Sequence, residues 1–130
     1  MASKSIDLGK TTITFEDDYI AHLHIKSGQV VEVDELKSIF KVINEADNDD
    51  KFRLLVTADD KASLSPEARE YASSAESSDR IVADAVVVQS YSHEMTANFF
   101  IRFNKPNRPT QLFKNENEAY EWLKSFPVEQ

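Results

Sequence analysis

Cysteine is absent from the 130-residue chain, and glycine occurs only twice, as Gly9 and Gly28. Without cysteine there can be no disulfide, no thiolate metal ligand and no cysteine nucleophile, a usage that fits a cytoplasmic protein. Backbone loops that cradle phosphates rely on glycine for close approach and unusual torsions. Neither a Walker loop nor a dinucleotide-binding fingerprint can be assembled from two isolated glycines, and no cofactor is expected. Long hydrophobic runs are also missing. Ala85-Val86-Val87-Val88 falls far short of a bilayer-spanning segment. The opening Met1-Ala2-Ser3-Lys4-Ser5 lacks the apolar region of a secretory signal, so no membrane insertion is expected. Positive charge is scarce: 15 Lys and Arg stand against 23 Asp and Glu, a formal net charge of -8. Such a balance disfavours nucleic acid and anionic membranes, which both need cations to meet phosphate. The carboxylates fall mostly where turns and helix starts are expected, as a solvated surface that keeps the domain soluble.

What is present reads as one globular domain over residues 1–130. The hydrophobic share of 41% and charged share of 29% are ordinary for a folded protein with a single core. No repeat or linker divides the chain, and the serines at 73–74 and 77–78 are too few to form one. Threonines alternate with Ile13 and Phe15 over Thr11 to Glu16, and Ile20 to Lys26 alternates again after a short polar turn. The two segments predict an antiparallel hairpin, with Ala21, Leu23 and Ile25 on one side and Ile20, His22 and His24 on the other.

The period then changes. Leu36, Ile39, Phe40 and Ile43 predict one face of a helix from about Val33 to Glu45, with Asp34 and Glu35 at its positive end. Phe52 to Val56 predicts a buried strand. Ser65-Pro66-Glu67 predicts a capped helix start, and a further turn is expected over Asp79 to Val82. Ala83 to Val88 predicts the most hydrophobic strand. Ser92 opens a helix over His93 to Phe103 that is too apolar for one narrow stripe. Thr110 to Phe113 predicts a last strand. Asn115 with Glu118 signals a helix cap, followed by Ala119, Trp122, Leu123 and Phe126 on one helical face. The expected order is ββαβαβαβα: an α/β domain whose mixed, mostly parallel sheet carries an N-terminal antiparallel hairpin.

Several stretches carry a resemblance: Val86-Val87-Val88-Gln89-Ser90, then Ala97 to Pro106 (Ala-Asn-Phe-Phe-Ile-Arg-Phe-Asn-Lys-Pro), Pro109, Leu112-Phe113, and Glu118-Ala119 before Trp122-Leu123. Together with the element order, the chain resembles small uncharacterised bacterial proteins of SpoIIAA-like, STAS-like type. The resemblance covers about the last third of the chain by residues and the remainder by topology. It implies a SpoIIAA-like fold with helices stacked on one face of the sheet and a partner on the other, where Ile20, His22 and His24 are expected. STAS domains of the anti-sigma-factor-antagonist type carry an Asp-Ser-Ser-Gly-like turn in which a serine is phosphorylated. Here the corresponding stretch, Thr57 to Pro66, contains serines but no glycine. Ser63 and Ser65 are the phosphoacceptor candidates, with helix capping as the structural role that competes for Ser65.

Other chemistry is sparse. His22 and His24, two apart on a strand, have a spacing that suits a pair of metal ligands, and Glu16 could supply a third from across the hairpin. His-x-His alone is a weak pattern, strand histidines often just cover a half-exposed face, and no metal site is assigned from this pair. Asp47-Asn48-Asp49-Asp50 lacks the glycine and distal glutamate of a calcium loop and reads as a helix-ending turn. Ser90 and Ser92 lie close to His93 without a Gly-x-Ser-x-Gly elbow. No catalytic residue is identified. Between Glu94 and Glu116 the chain has cations and no carboxylate. Met95, Phe99, Arg102, Phe103, Lys105 and Arg108 therefore form a candidate interaction surface, against the alternative that these cations balance the acidic remainder. The expectation is a non-catalytic signalling or protein-interaction domain that binds a protein partner or self-associates as a homodimer. A small-molecule or lipid-type binder is the alternative.

Overall fold

Three strands open the chain, β1 (Lys4–Asp7), β2 (Thr11–Glu16) and β3 (Ile20–Ile25), and pair antiparallel in succession. The computed structural model describes residues 4–46, 51–59, 61–73, 80–88 and 108–128. β2 and β3 are the expected hairpin. β1 is an addition, since Lys4-Ser5-Ile6-Asp7 has one apolar residue and no alternation, and it is held by its ladder to β2. There follow β4 (Val30–Val31), α1 (Val33–Asn44), β5 (Phe52–Ala58), β6 (Ser63–Leu64) and α2 (Pro66–Ser73). The last elements are β7 (Ile81–Val87), β8 (Thr110–Phe113) and α3 (Glu116–Lys124). Ile81 and Val82 extend β7 rather than forming the expected turn, because Ile81 is buried beside Phe52 in the ladder. The apolar helix expected over His93 to Phe103 lies outside the described residues.

One sheet runs β1-β2-β3-β5-β7-β8, and its last four strands are parallel. A second, two-stranded sheet pairs β4 with β6. The fold is thus mixed α/β with a mostly parallel sheet behind an antiparallel start, as the alternation of periods predicts. α1 buries Leu36, Ile39, Phe40 and Ile43, the residues that recur at helical spacing. They pack with Ala68 of α2 against Ile13, Ala21, Leu23, Ile25 and Leu54 on one side of the sheet. Ala119 and Leu123 of α3 pack against Ile20, Leu55, Ala83, Ala85 and Val87 on the other.

Helices therefore occupy both faces, which corrects the expectation of a single helical face. The apolar stripe of α3 meets the small residues Ala83 and Ala85, and these let the helix approach closely. α3 packs chiefly on β7, β5 and β8. Over β1–β3 the same face carries Ser5, Thr12, Thr14, His22 and His24, and all five retain solvent exposure.

Both glycines serve turns: Gly9 and Gly28 have φ of 93° and 73°, in the left-handed region that side chains disfavour. The β2–β3 turn has no glycine and places Asp18 and Tyr19 there instead, at 65° and 57°.

Candidate functional site

Strand alternation turns His22 and His24 to the same face of the sheet, as expected. The ladders then decide their neighbours. Thr14 and Thr12 lie opposite them on β2, and Thr57 of β5 lies beside His24 on the other flank. Both imidazoles turn toward that threonine: Thr57 Oγ1 is 2.8 Å from His22 Nε2 and 2.7 Å from His24 Nδ1. The outer nitrogens meet carboxylates. His22 Nδ1 is 2.9 Å from Glu16 Oε2, and His24 Nε2 is 3.1 Å from Asp59 Oδ2. Tyr120 of α3 donates its hydroxyl to Glu16 Oε1 at 2.6 Å. The result is one continuous chain, Tyr120–Glu16–His22–Thr57–His24–Asp59, that crosses three strands and a helix.

The chain grades from inside to outside. Thr57 is 3% exposed. The His22 and Glu16 side chains are 19% and 24% exposed, His24 33% and Asp59 53%. Burial, together with the Glu16 carboxylate, pushes the Tyr120 phenol well above its ordinary range, so it remains a hydrogen-bond donor. Glu16 does approach His22, the cross-hairpin contact that a metal site would use. His24 turns instead to Thr57 and Asp59, and among the described residues no three His, Asp or Glu side chains converge on a metal position.

Thr57, His22 and Glu16 reproduce the hydroxyl–imidazole–carboxylate connectivity of an acyl-transfer triad. Their setting differs. The hydroxyl is buried and mid-strand, paired across the ladder with His24, whereas a triad needs an accessible nucleophile and free amides for the developing oxyanion.

The remaining candidates fall elsewhere. Ser65 is 6% exposed, and its Oγ accepts the Ala68 N–H at 3.1 Å, so it is the N-cap of α2. Ser63 is half-buried in β6, where its N–H donates to the Gln29 carbonyl. Met95, Phe99, Arg102, Phe103 and Lys105 lie outside the described residues. Arg108 is turned inward rather than to a surface: its side chain is 9% exposed, 2.9 Å from Asp84 Oδ2 and stacked over the Phe40 ring. Asp84, in the middle of the most apolar strand, is 8% exposed and also accepts from the Thr110 hydroxyl at 3.2 Å. Its Oδ1 has no hydrogen-bond partner among the described residues. Burial pushes its carboxyl above the ordinary range, with Arg108 and Thr110 acting against that shift.

Sequence reasoning identified the two histidines and Glu16 but passed over Thr57, Asp59 and Tyr120. A signal for Thr57 existed. Arg53 and Thr57 share a face with Leu55 in a strand otherwise apolar, and a polar group inside a buried strand needs a partner.

The whole architecture is similar to a solved structure, an uncharacterised protein from the DUF3478 family with a SpoIIAA-like fold from Shewanella loihica PV-4. It has 13% identity and a TM-score of 0.54, covering 94% of this chain and 92% of that one. At that identity the likeness concerns the fold, and the fold is SpoIIAA-like. The chain itself belongs to the family described as Domain of unknown function (DUF7793), whose model matches residues 13–127. No curated protein matches it. Among the described residues no helix is long and apolar enough to cross a membrane.

Proposed function

We propose that this is a non-catalytic protein-interaction domain of the STAS-like signalling kind, cytoplasmic and bacterial, whose partner docks on the sheet face beside α3. One observation carries the reading. Over β1–β3 this face presents Ser5, Thr12, Thr14, His22 and His24, all partly exposed, while the adjoining β7 residues Ala83 and Ala85 are sealed under α3. A flat array of hydroxyls and imidazoles suits recognition by hydrogen bonds. The flanking carboxylates Asp7, Glu16 and Asp59 are already engaged by Lys26, His22 and His24, so uncharged hydrogen-bonding groups predominate on this face. The burial of Thr57 supports a binding role over a hydrolytic one.

The test is photo-crosslinking in source cells from probes placed at Thr12 and Thr14, with Lys41 on the opposite α1 side as control. One protein adduct from both sheet positions and none from Lys41 is the expected result. Equal labelling at all three, or none, would overturn the assignment of this face. An adduct with a second copy of the chain identifies homodimerisation as the interaction. A small molecule retained in native mass spectrometry would favour the carrier reading instead.

A further inference from the structure

The hydrogen-bonded chain on the sheet face has a proton count that its geometry dictates. Glu16 and Asp59, as carboxylates, only accept. His22 Nδ1 must therefore donate to Glu16 across 2.9 Å, and His24 Nε2 must donate to Asp59 across 3.1 Å. The inner nitrogens, His22 Nε2 and His24 Nδ1, both face Thr57 Oγ1 at hydrogen-bond distance. A hydroxyl has one hydrogen to give. If both rings were neutral, two lone pairs would point at that oxygen and one contact would be repulsive. If both rings were charged, two N–H groups would point at it and the hydroxyl hydrogen would need another acceptor. Both contacts are made and the hydroxyl hydrogen is also used within the chain only when one inner nitrogen carries a proton and the other does not.

We infer that His22 and His24 hold a single proton between them through Thr57, making this sheet face a proton-linked switch. The proton is mobile along the chain. His22 Nε2 passes its proton to Thr57 Oγ1 as Oγ1 passes its own to His24 Nδ1, so one N–H bond breaks, one forms and the hydroxyl is regenerated. Positive charge thereby moves from the ring beside Glu16 to the more exposed ring beside Asp59. The carboxylates that contact the pair, Glu16 from β2 and Asp59 just beyond β5, favour retaining one positive charge, while Tyr120 of α3 donates to Glu16 from the other side. Lys26, just past β3, opposes it weakly because it is paired with Asp7 of β1 at 3.0 Å. Loss of the shared proton breaks one contact to Thr57, and His24, the more exposed ring, is the one released. Gain of a second proton displaces the Thr57 hydrogen. The face is ordered in the singly protonated state and loosened on either side of it, a property independent of what docks there.

The test reads the ring nitrogens directly, by long-range proton–nitrogen correlation spectra of the full chain between pH 4 and 9, with His93→Gln to assist assignment. Coupled sites release protons in separate macroscopic steps. The expected result is two steps at least roughly tenfold apart in proton concentration, with a plateau at three ring-bound protons per pair. Thr57→Ser should keep the plateau and Thr57→Val should abolish it. His24→Gln should leave His22 titrating in a single step. Two histidines that lose their protons together in the unaltered chain overturn the inference whether or not the valine variant folds. So does a plateau that survives Thr57→Val.

Discussion

Arg53 shows how much one side chain can organise. It is 9% exposed, and its Nε and Nη2 donate to the Phe126 carbonyl at 3.1 and 2.7 Å. Its Nη1 donates to the Asp18 carbonyl. One guanidinium thus ties the chain just past α3 to the β2–β3 turn, 73 and 35 residues away in sequence. Its charge also sits at the negative end of the α3 dipole. Arg53→Met removes the donors and strands the carbonyls, and should lower stability by about 2–4 kcal/mol in urea unfolding. Arg53→Lys keeps the charge without the planar fork and should fall between the two. The same turn contains a site for gain. Tyr19 holds φ of 57° and is 47% exposed, so its ring contributes little burial to offset the left-handed backbone. Tyr19→Gly should raise stability by up to about 1 kcal/mol, visible as a higher urea midpoint at unchanged slope.

At the scale of elements, the ends of the helices were easier to read than the short strands. Asn115 caps α3 as its sequence signal implies, its Oδ1 accepting the Glu118 N–H at 3.2 Å. Asn115→Ala should reduce stability by about 1 kcal/mol. α1 begins with a capping box whose N-cap is Glu32 in place of serine: Glu35 reaches back to accept the Glu32 N–H at 2.8 Å and pairs with Lys10 at 2.9 Å. The Glu32 amide first, and the Lys10 ammonium after it, hold the Glu35 carboxyl below its ordinary value of 4.5. A depressed acid stabilises the fold in its ionised form. Its contribution is complete above that ordinary value and disappears as pH falls through the lower folded value. Glu35→Gln should therefore be less stable than the unaltered chain at neutral pH, and the two should converge as the solution is acidified. The face of α1 was legible because four apolar residues repeat over two turns. β1, β4 and β6 were not, because strands of four, two and two residues are too short to display a period.

Across the whole molecule, the two apolar layers on either side of the sheet are accompanied by a charged pair inside one of them. Asp84 and Arg108 lie on the α1 side, with Arg108 over Phe40. Burial raises the Asp84 carboxyl, so its ionised form is the disfavoured one in the fold. Its contribution to stability is complete below the ordinary value of 3.8 and is lost as pH rises through the higher folded value, opposite in sign to that of Glu35. Removing one partner should be worse than removing both. Arg108→Met leaves a buried carboxylate without its guanidinium and should destabilise by about 3–5 kcal/mol at neutral pH. Combining Asp84→Leu with Arg108→Met should cost much less than the sum of the single changes, as a double-mutant cycle in urea would measure.

The amino-acid order alone settled whatever depends on neighbours a few positions apart. The change from a two-residue to a helical rhythm marked out β2, β3, α1, β5, β7, β8 and α3, and it put His22 and His24 on one face. Missing cysteine and scarce glycine closed off thiolate and phosphate-loop chemistry before any fold was known. Tertiary structure decided which strands lie side by side, that α3 crosses to the second face, and that Tyr120 reaches Glu16 across 104 positions. It also brought Thr57 between two imidazoles 33 and 35 positions away. Periodicity is a local property of the chain, and it carries no record of which distant hydroxyl will close a hydrogen bond once sheet register is set.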